Sequence, residues 1–443
     1  MKIKQFEYAP LAHYSYALVS QGEMVVIDPE RDPTVYYAYA KEQAATIVAV
    51  IETHPHADFI SAHLQIHKET GATIYCSEKT GAEYPHTAFD EGESITIGQA
   101  TVSALNTPGH SPDSITVVAK EGKKTVLFTG DTLFIGDVGR PDLREKAGHM
   151  KAKRKELAEM MYHTIQEQFQ HLPDDAVVYP AHGAGSLCGN NMSDSSSSTL
   201  GAERADNWAF QEQSKKEFIN HLLDNQPFIP SYFSFDVEVN KKGAASLRPA
   251  LGAVPFHLNS SAEGLVVDVR GEEQFKAHHL KGSINIQATS DKAKFETWLG
   301  AVVQPKEEFT LVIEHPNQLE KLLQRVAKIG YEKQLKAVIT LPLAAQETMP
   351  ALDLEHFKAH PDAYTIVDIR NQSEIDEGKF FEEALAHPLN ELRDTASNIP
   401  QDKPIVVHCA GGYRSAAGSS LLKKLMDKVT VYDLSDAVQE FKE

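Results

Sequence analysis

The sequence predicts a multidomain α/β protein, and three observations carry that expectation. Short β-rich runs separated by turns dominate up to about residue 190. From about residue 256, strands and helices alternate, which favours parallel sheets. Within that C-terminal part a pattern recurs about 95–100 residues apart, the length of a small domain rather than of a solenoid repeat. A chain of 443 residues has room for roughly two to four domains, each with its own core.

Taken in order, the expected strands are Met24–Ile27, Thr46–Ile51, Thr73–Cys76, Ser94–Ile97, Ala100–Leu105, Ser114–Ala119, Thr125–Thr129 and Val177–Tyr179. Helical periodicity intervenes at Pro33–Lys41, Ile60–Glu69 and Lys151–Gln170. The Gly/Asn/Ser-rich stretch Cys188–Thr199 reads as a flexible loop, Ala202–Asp224 as one amphipathic helix and Pro227–Pro255 as a connection. The repeat then pairs Val266-Val267-Asp268-Val269-Arg270 with Ile366-Val367-Asp368-Ile369-Arg370. It also pairs Phe309–Glu314 with Pro404–Cys409, each leading into a helix.

Composition narrows the function. Hydrophobic content of 42% and charged content of 24% fit a soluble globular chain. A net charge of −19 argues against nucleic acid and against an anionic membrane surface, since both need a basic face. Three cysteines make no disulfide framework and suggest a reducing compartment. The start Met-Lys-Ile-Lys-Gln-Phe-Glu is too polar for a secretory signal, and no apolar run approaches the ~20 residues of a membrane span. A cytoplasmic protein is expected.

Thr53-His54-Pro55-His56-Ala57-Asp58 follows the expected strand Thr46–Ile51. Thr107-Pro108-Gly109-His110, Thr129-Gly130-Asp131-Thr132 and Pro180-Ala181-His182-Gly183 have similar settings. Strand ends and turns are where rigid scaffolds offer ligands to a cleft. A lone histidine is more often a surface or satisfied core residue. Four of them with aspartates in the same setting point to a metal centre, because imidazole and carboxylate suit zinc and other first-row metals, ferrous iron included. Arg140, shortly after Asp131, suits a forked contact to an anionic substrate; a surface salt bridge is the plainer reading.

Near the C-terminus, Cys409-Ala410-Gly411-Gly412-Tyr413-Arg414 places a thiol at the start of a glycine-rich loop, ahead of a helix expected from about Ser415. Small residues let backbone amides converge on the sulfur, and the helix N-terminus and Arg414 favour a persulfide anion. The matching position of the earlier repeat is Glu314, which cannot carry sulfane sulfur. Cys76 reads as a buried strand residue. Cys188 reads either as an incidental loop cysteine or as a thiol relay beside the metal.

The N-terminal motifs resemble the metallo-β-lactamase superfamily, whose signature is His-x-His-x-Asp-His followed by separate His, Asp and His positions. The resemblance implies an αββα sandwich over residues 1–240. Phe59 stands where binuclear hydrolases of that superfamily carry a histidine, and a phenyl ring has no lone pair to donate. Two metals are therefore not expected. The pattern is similar to the persulfide dioxygenase branch, which implies one Fe(II) per chain on His54, His110 and Asp131. By the same resemblance His56, Asp58 and His182 support those ligands, and Arg140 contacts the thiol carrier. Two histidines and one carboxylate leave positions open for substrate and dioxygen, whereas zinc has no redox couple for such an oxidation.

The two C-terminal repeats resemble rhodanese sulfurtransferases, α/β modules with parallel sheets. One, over 250–345, is expected to be silent; the other, over 346–443, is expected to be active through Cys409 and Arg414. The whole resembles bacterial persulfide dioxygenase–rhodanese fusions of the three-domain type. That implies oxidation of a low-molecular-weight persulfide by dioxygen to sulfite and thiol, coupled to sulfur transfer that makes or uses thiosulfate, in sulfide detoxification. The partners implied are small molecules and further copies of the chain in a homo-oligomer, with no nucleic acid and no membrane. Two other readings stand beside it. A dizinc thioester hydrolase of the glyoxalase II type would need two metals, against which Phe59 speaks. A non-enzymatic sulfur carrier or persulfide sensor would need a closed metal site.

Overall fold

The computed structural model describes residues 1–143, 154–224, 226–291, 293–342 and 347–442. It divides into two compact units, Met1–Pro249 with Ala327–Gly330, and Ala250–Val326 with Tyr331–Glu443. The first residues of the helix expected from Lys151, and the module boundary expected between Ala345 and Gln346, lie outside the described residues.

The first unit is an αββα sandwich. One six-stranded sheet runs Lys2–Tyr8, His13–Ser20, Glu23–Ile27, Thr46–Ile51, Thr73–Cys76 and Thr87–Ala88 in chain order. The other places Ser94–Ile97, Ala100–Asn106, Ile115–Glu121 and Lys124–Gly130 as an antiparallel meander, with Val177–Pro180 parallel to the last of these. Alternation along the strands decides which side chains meet. Leu18, Val25, Ile27 and Ile51 face Val102, Ile115, Val117 and Phe128 between the sheets. Ala17, Val26 and Val50, one residue out of phase, pack outward against Tyr36, Ala40 and Ile66 of two covering helices. On the far side Leu127 and Val178 meet Met161, Ile165, Phe218 and Leu222.

The strands Lys2–Tyr8 and His13–Ser20 have no counterpart in the sequence reading, and two other segments are corrected. Ala202–Asp224 is broken into Leu200–Asp206, a short 3-10 turn and Lys215–Leu223. The break is at Asn207, fully buried, whose amide group donates to the carbonyls of Phe134 and Asp137. A capping box of Ser214 and Glu217 then restarts the helix. The supposed connection Pro227–Pro255 holds two helices, Tyr232–Lys242 and Leu247–Gly252. The first is fixed by burial of Tyr232, Phe233 and Val237, which tertiary packing supplies and local pattern does not reveal.

The second unit contains two all-parallel sheets. Phe256–His257, Leu335–Thr340, Phe309–Ile313, Leu265–Asp268 and Ile284–Asn285 form one, in that spatial order. Leu385–Ala386, Thr365–Asp368, Ile405–His408 and Val431–Asp433 form the other. The repeat seen in the sequence recurs in detail. Arg270 clasps Asp268 and the His278 carbonyl, and Arg370 clasps Asp368 and the Gly378 carbonyl, in the same pattern.

Candidate functional site

The strand Thr46–Ile51 delivers the histidine motif to the rim of the first unit, and its neighbours fix the turn that follows. Asp28 accepts hydrogen bonds from the Thr53 amide (2.7 Å) and hydroxyl (2.8 Å). Thr53 Oγ1 lies 3.0 Å from His54 Nδ1, orienting that ring. Gly130 has φ +53°, and a Cβ there would meet Thr53 Oγ1 at 2.4 Å, so only glycine lets the Asp131 strand end approach this closely.

These constraints bring His54, His110 and Asp131 together, with one donor atom from each within 4.8 Å of the others. His54 Nε2 and His110 Nε2 each lie 3.6 Å from Asp131 Oδ2, which is fully enclosed and accepts no hydrogen bond from the described residues. Asp131 Oδ1 is taken by His182 Nδ1 at 2.7 Å. Burial opposes ionisation of Asp131, yet His182, His54 and His110 hold its carboxyl well below the usual range. A buried carboxylate beside two imidazoles is costly without a compensating cation. The donor set fits a divalent first-row metal.

Behind this trio, His182 Nε2 lies 2.8 Å from Asp58 Oδ2. Burial works against a charged His182, but Asp131 and Asp58 raise its pKa well above the ordinary value. His56 turns away to Asp28, 3.2 Å from its Oδ1, and joins Asp28 and Glu52 in a separate buried cluster. Phe59 is enclosed, its ring 3.8 Å from His13 and 4.4 Å from His56 by centroids.

Two site residues escaped the sequence reading. His13 packs on Phe59 and lies 5.5 Å from the His182 ring; burial lowers its pKa well below the usual value. Asn240 donates to the carbonyls of His56 and Phe59 and accepts from the Ser61 amide, pinning the whole motif from the helix Tyr232–Lys242. The available signal for Asn240 was a polar residue at helical spacing from Tyr232, Phe233 and Val237. An ordinary strand histidine gave none for His13.

Cys188, at the start of the stretch expected as a flexible loop, is 1% accessible, and burial, with Asp58 and Asp131 nearby, pushes its thiol pKa up. Its sulfur belongs to a cluster with Asp58 and His182, all within 4.8 Å. The position weakened by Phe59 therefore has a third donor that the motif did not include. Arg140 is equally enclosed. Its fork grips Asp142 at 2.6 and 2.8 Å and the Leu187 carbonyl at 3.1 Å, while its own amide donates to the Cys188 carbonyl. The guanidinium presents no open fork to a substrate; it ties down the Cys188 segment.

In the second unit Cys409 directly follows the strand Ile405–His408 and is 1% accessible. The Gly412 amide donates to its sulfur at 3.2 Å. The helix starts at Tyr413 rather than near Ser415. Arg414 forks onto Glu374 at 2.5 and 2.7 Å, so a carboxylate offsets the charge expected to serve the sulfur. Glu314, at the corresponding place in the other repeat, accepts from Gln274 and offers no thiol.

A family model of the metallo-beta-lactamase superfamily matches residues 8–182, and one of the rhodanese-like domain matches 256–339 and 353–443. A mitochondrial persulfide dioxygenase of Homo sapiens is 30% identical over 162 residues, 36% of this chain and 59% of that protein. A cytoplasmic hydroxyacylglutathione hydrolase of Arabidopsis thaliana is 31% identical over 176 residues, 38% of this chain and 63% of that protein. The match thus spans about three fifths of each relative. A crystal structure of a metallo-beta-lactamase from Staphylococcus aureus subsp. aureus COL shares the fold at a TM-score of 0.68 and 29% identity. It covers 77% of this chain and 99% of its own.

Proposed function

The chain carries a metallo-β-lactamase superfamily domain followed by two rhodanese-like domains, and on that premise we propose that it is a ferrous persulfide dioxygenase coupled to a sulfurtransferase. The dioxygenase domain is assigned to residues 1–240, the silent module to 250–345 and the transfer module to 346–443. The observation that carries the reading is the convergence of His54, His110 and Asp131 at a site where Phe59 replaces the next donor of the motif.

The reaction assigned to the first domain consumes a low-molecular-weight persulfide, dioxygen and water and releases the parent thiol, sulfite and two protons. His54, His110 and Asp131 would hold the iron, which when bound would supply the redox chemistry that this oxidation requires. The chain's own residues set the stage. His182 occupies Asp131 Oδ1 and leaves Oδ2 to the centre. Asp58 steadies the other side of His182, and Asn240 holds the loop that bears His54. Phe59 and His13 form a closely packed wall that keeps water from that side.

In the transfer module a Cys409 thiolate attacks the sulfane sulfur of thiosulfate. The S–S bond of thiosulfate breaks, sulfite leaves with the electron pair, and Cys409 holds the persulfide; the reverse direction joins that sulfur to sulfite. Fusion raises the effective concentration of sulfite for this step. The setting assigned is cytoplasmic sulfide detoxification; no helix among the described residues is long and apolar enough to cross a membrane.

A second reading, a binuclear thioester hydrolase, draws on the Asp58–His182–Cys188 cluster and on the likeness to hydroxyacylglutathione hydrolases. Oxygen uptake by iron-loaded protein on addition of glutathione persulfide decides between them. Its absence, together with anaerobic hydrolysis of a glutathione thioester by protein holding two metals, would replace the first reading by the second.

A further inference from the structure

Two consecutive residues of the Cys409 loop are held by the module that has no thiol. Tyr413 Oη donates a 2.7 Å hydrogen bond to the Gln287 carbonyl. The Arg414 guanidinium carbon lies 5.8 Å from the centroid of Trp298, within reach of a cation–π contact. Trp298 stands on Phe295–Val302, a helix whose eight residues are all buried, so its ring is a fixed platform. Glu374, from the transfer module itself, grips the guanidinium by its edge. An edge grip alone leaves the plane free to tilt about the carboxylate; a fixed ring within cation–π range restricts that freedom.

The same module also steadies the loop from its other side. Ser435 donates to Glu272 at 2.6 Å, and Lys276 lies 2.8 Å from Asp433. The segment so anchored presses on the loop, for a Cβ at Gly412 would meet the Asp436 amide nitrogen at 3.1 Å. Gly412 is the residue whose amide reaches the Cys409 sulfur, and its φ of +99° suits glycine.

We propose that the thiol-less module is a working half of the sulfur site, in which Trp298 is a positioning residue that steadies the Arg414–Glu374 pair, and through it the Cys409 loop that receives a small sulfur oxyanion. This rests on the sulfurtransferase reading of Cys409. The silent repeat thereby has a task that needs no nucleophile: it sets an aromatic ring beside the guanidinium and holds the hydroxyl of the neighbouring tyrosine while thiosulfate docks.

Steady-state transfer from thiosulfate to cyanide by the full chain tests it, with melting temperatures measured alongside. Trp298→Ala should raise the KM for thiosulfate about fivefold, the loss expected for one such contact, with kcat changed less than about twofold. Trp298→Phe, which keeps an aromatic face, should restore most of the affinity. Tyr413→Phe, which removes only a hydroxyl, should raise KM to a smaller degree. Unchanged KM in folded Trp298→Ala protein would overturn the inference. So would a fall in kcat that merely tracks loss of folded protein at constant KM. If Trp298→Ala fails to fold, the KM of Tyr413→Phe decides, and a wild-type value overturns the inference. A wild-type chain inert towards thiosulfate would instead defeat the sulfurtransferase reading on which it rests.

Discussion

His182 Nδ1 sits 2.7 Å from Asp131 Oδ1, so a single imidazole determines which oxygen of the metal-site carboxylate faces His54 and His110. Partners of this kind orient ligands without binding the metal themselves. His182→Asn should therefore lower iron affinity about 10–100-fold, with a parallel loss of oxygen uptake at limiting iron. Iron content after dialysis against graded chelator reads the effect; a wild-type titration curve would show that Asp131 needs no such support.

Cys188 is enclosed between Asp58 and His182, and burial raises its pKa. At pH 8 the thiolate that alkylating agents attack should be scarce. Iodoacetamide should leave Cys188 unlabelled in native protein and label it after denaturation, as followed by peptide mass spectrometry. Rapid native labelling would reinstate the thiol as an accessible relay.

The division of labour makes Cys409→Ser a selective lesion. Oxygen cannot replace sulfur as the carrier of a persulfide, so transfer between thiosulfate and cyanide should fall to background. Oxygen uptake with free glutathione persulfide should stay within about twofold of wild type, since His54, His110 and Asp131, the ligands proposed for iron, lie in the other unit. Loss of both activities would refute the assignment of one reaction to each domain.

His279 gives the second unit a pH limit. Burial lowers its pKa from 6.5 to about 4, although its Nδ1 donates to the Phe275 carbonyl. As pH falls below about 6.5 the unfolded chain takes up the proton first, so stability declines between about pH 6.5 and 4. His279→Gln should flatten that decline, seen as a smaller drop in melting temperature between pH 7 and 5. His63, held at about 3 by burial, leaves a residual slope. An identical drop in both proteins would remove His279 from the account.

Local pattern alone marked most of the sandwich strands, the repeat and the residues that converge as a candidate metal centre. Strands such as Thr46–Ile51 and Thr73–Cys76 were legible because alternation and turn residues are properties of neighbours in the chain. His54, His110 and Asp131 were legible because each follows a strand end, where a rigid scaffold offers ligands to a cleft. The Asp-x-Arg clasps were legible because both partners lie two residues apart.

What only the tertiary structure decided are the pairings across long separations. Asn207 breaks a helix because carbonyls some 70 residues earlier need its amide. Asn240 reaches back to His56 and Phe59 from a helix whose stability comes from packing. Cys188 reads in the sequence as a loop thiol and Arg140 as a substrate contact or surface salt bridge, yet the fold encloses both and sets them beside distant partners. Composition and periodicity report what a residue is and who precedes it; burial and charge pairing depend on which distant segment arrives beside it, and that is set by the closed core.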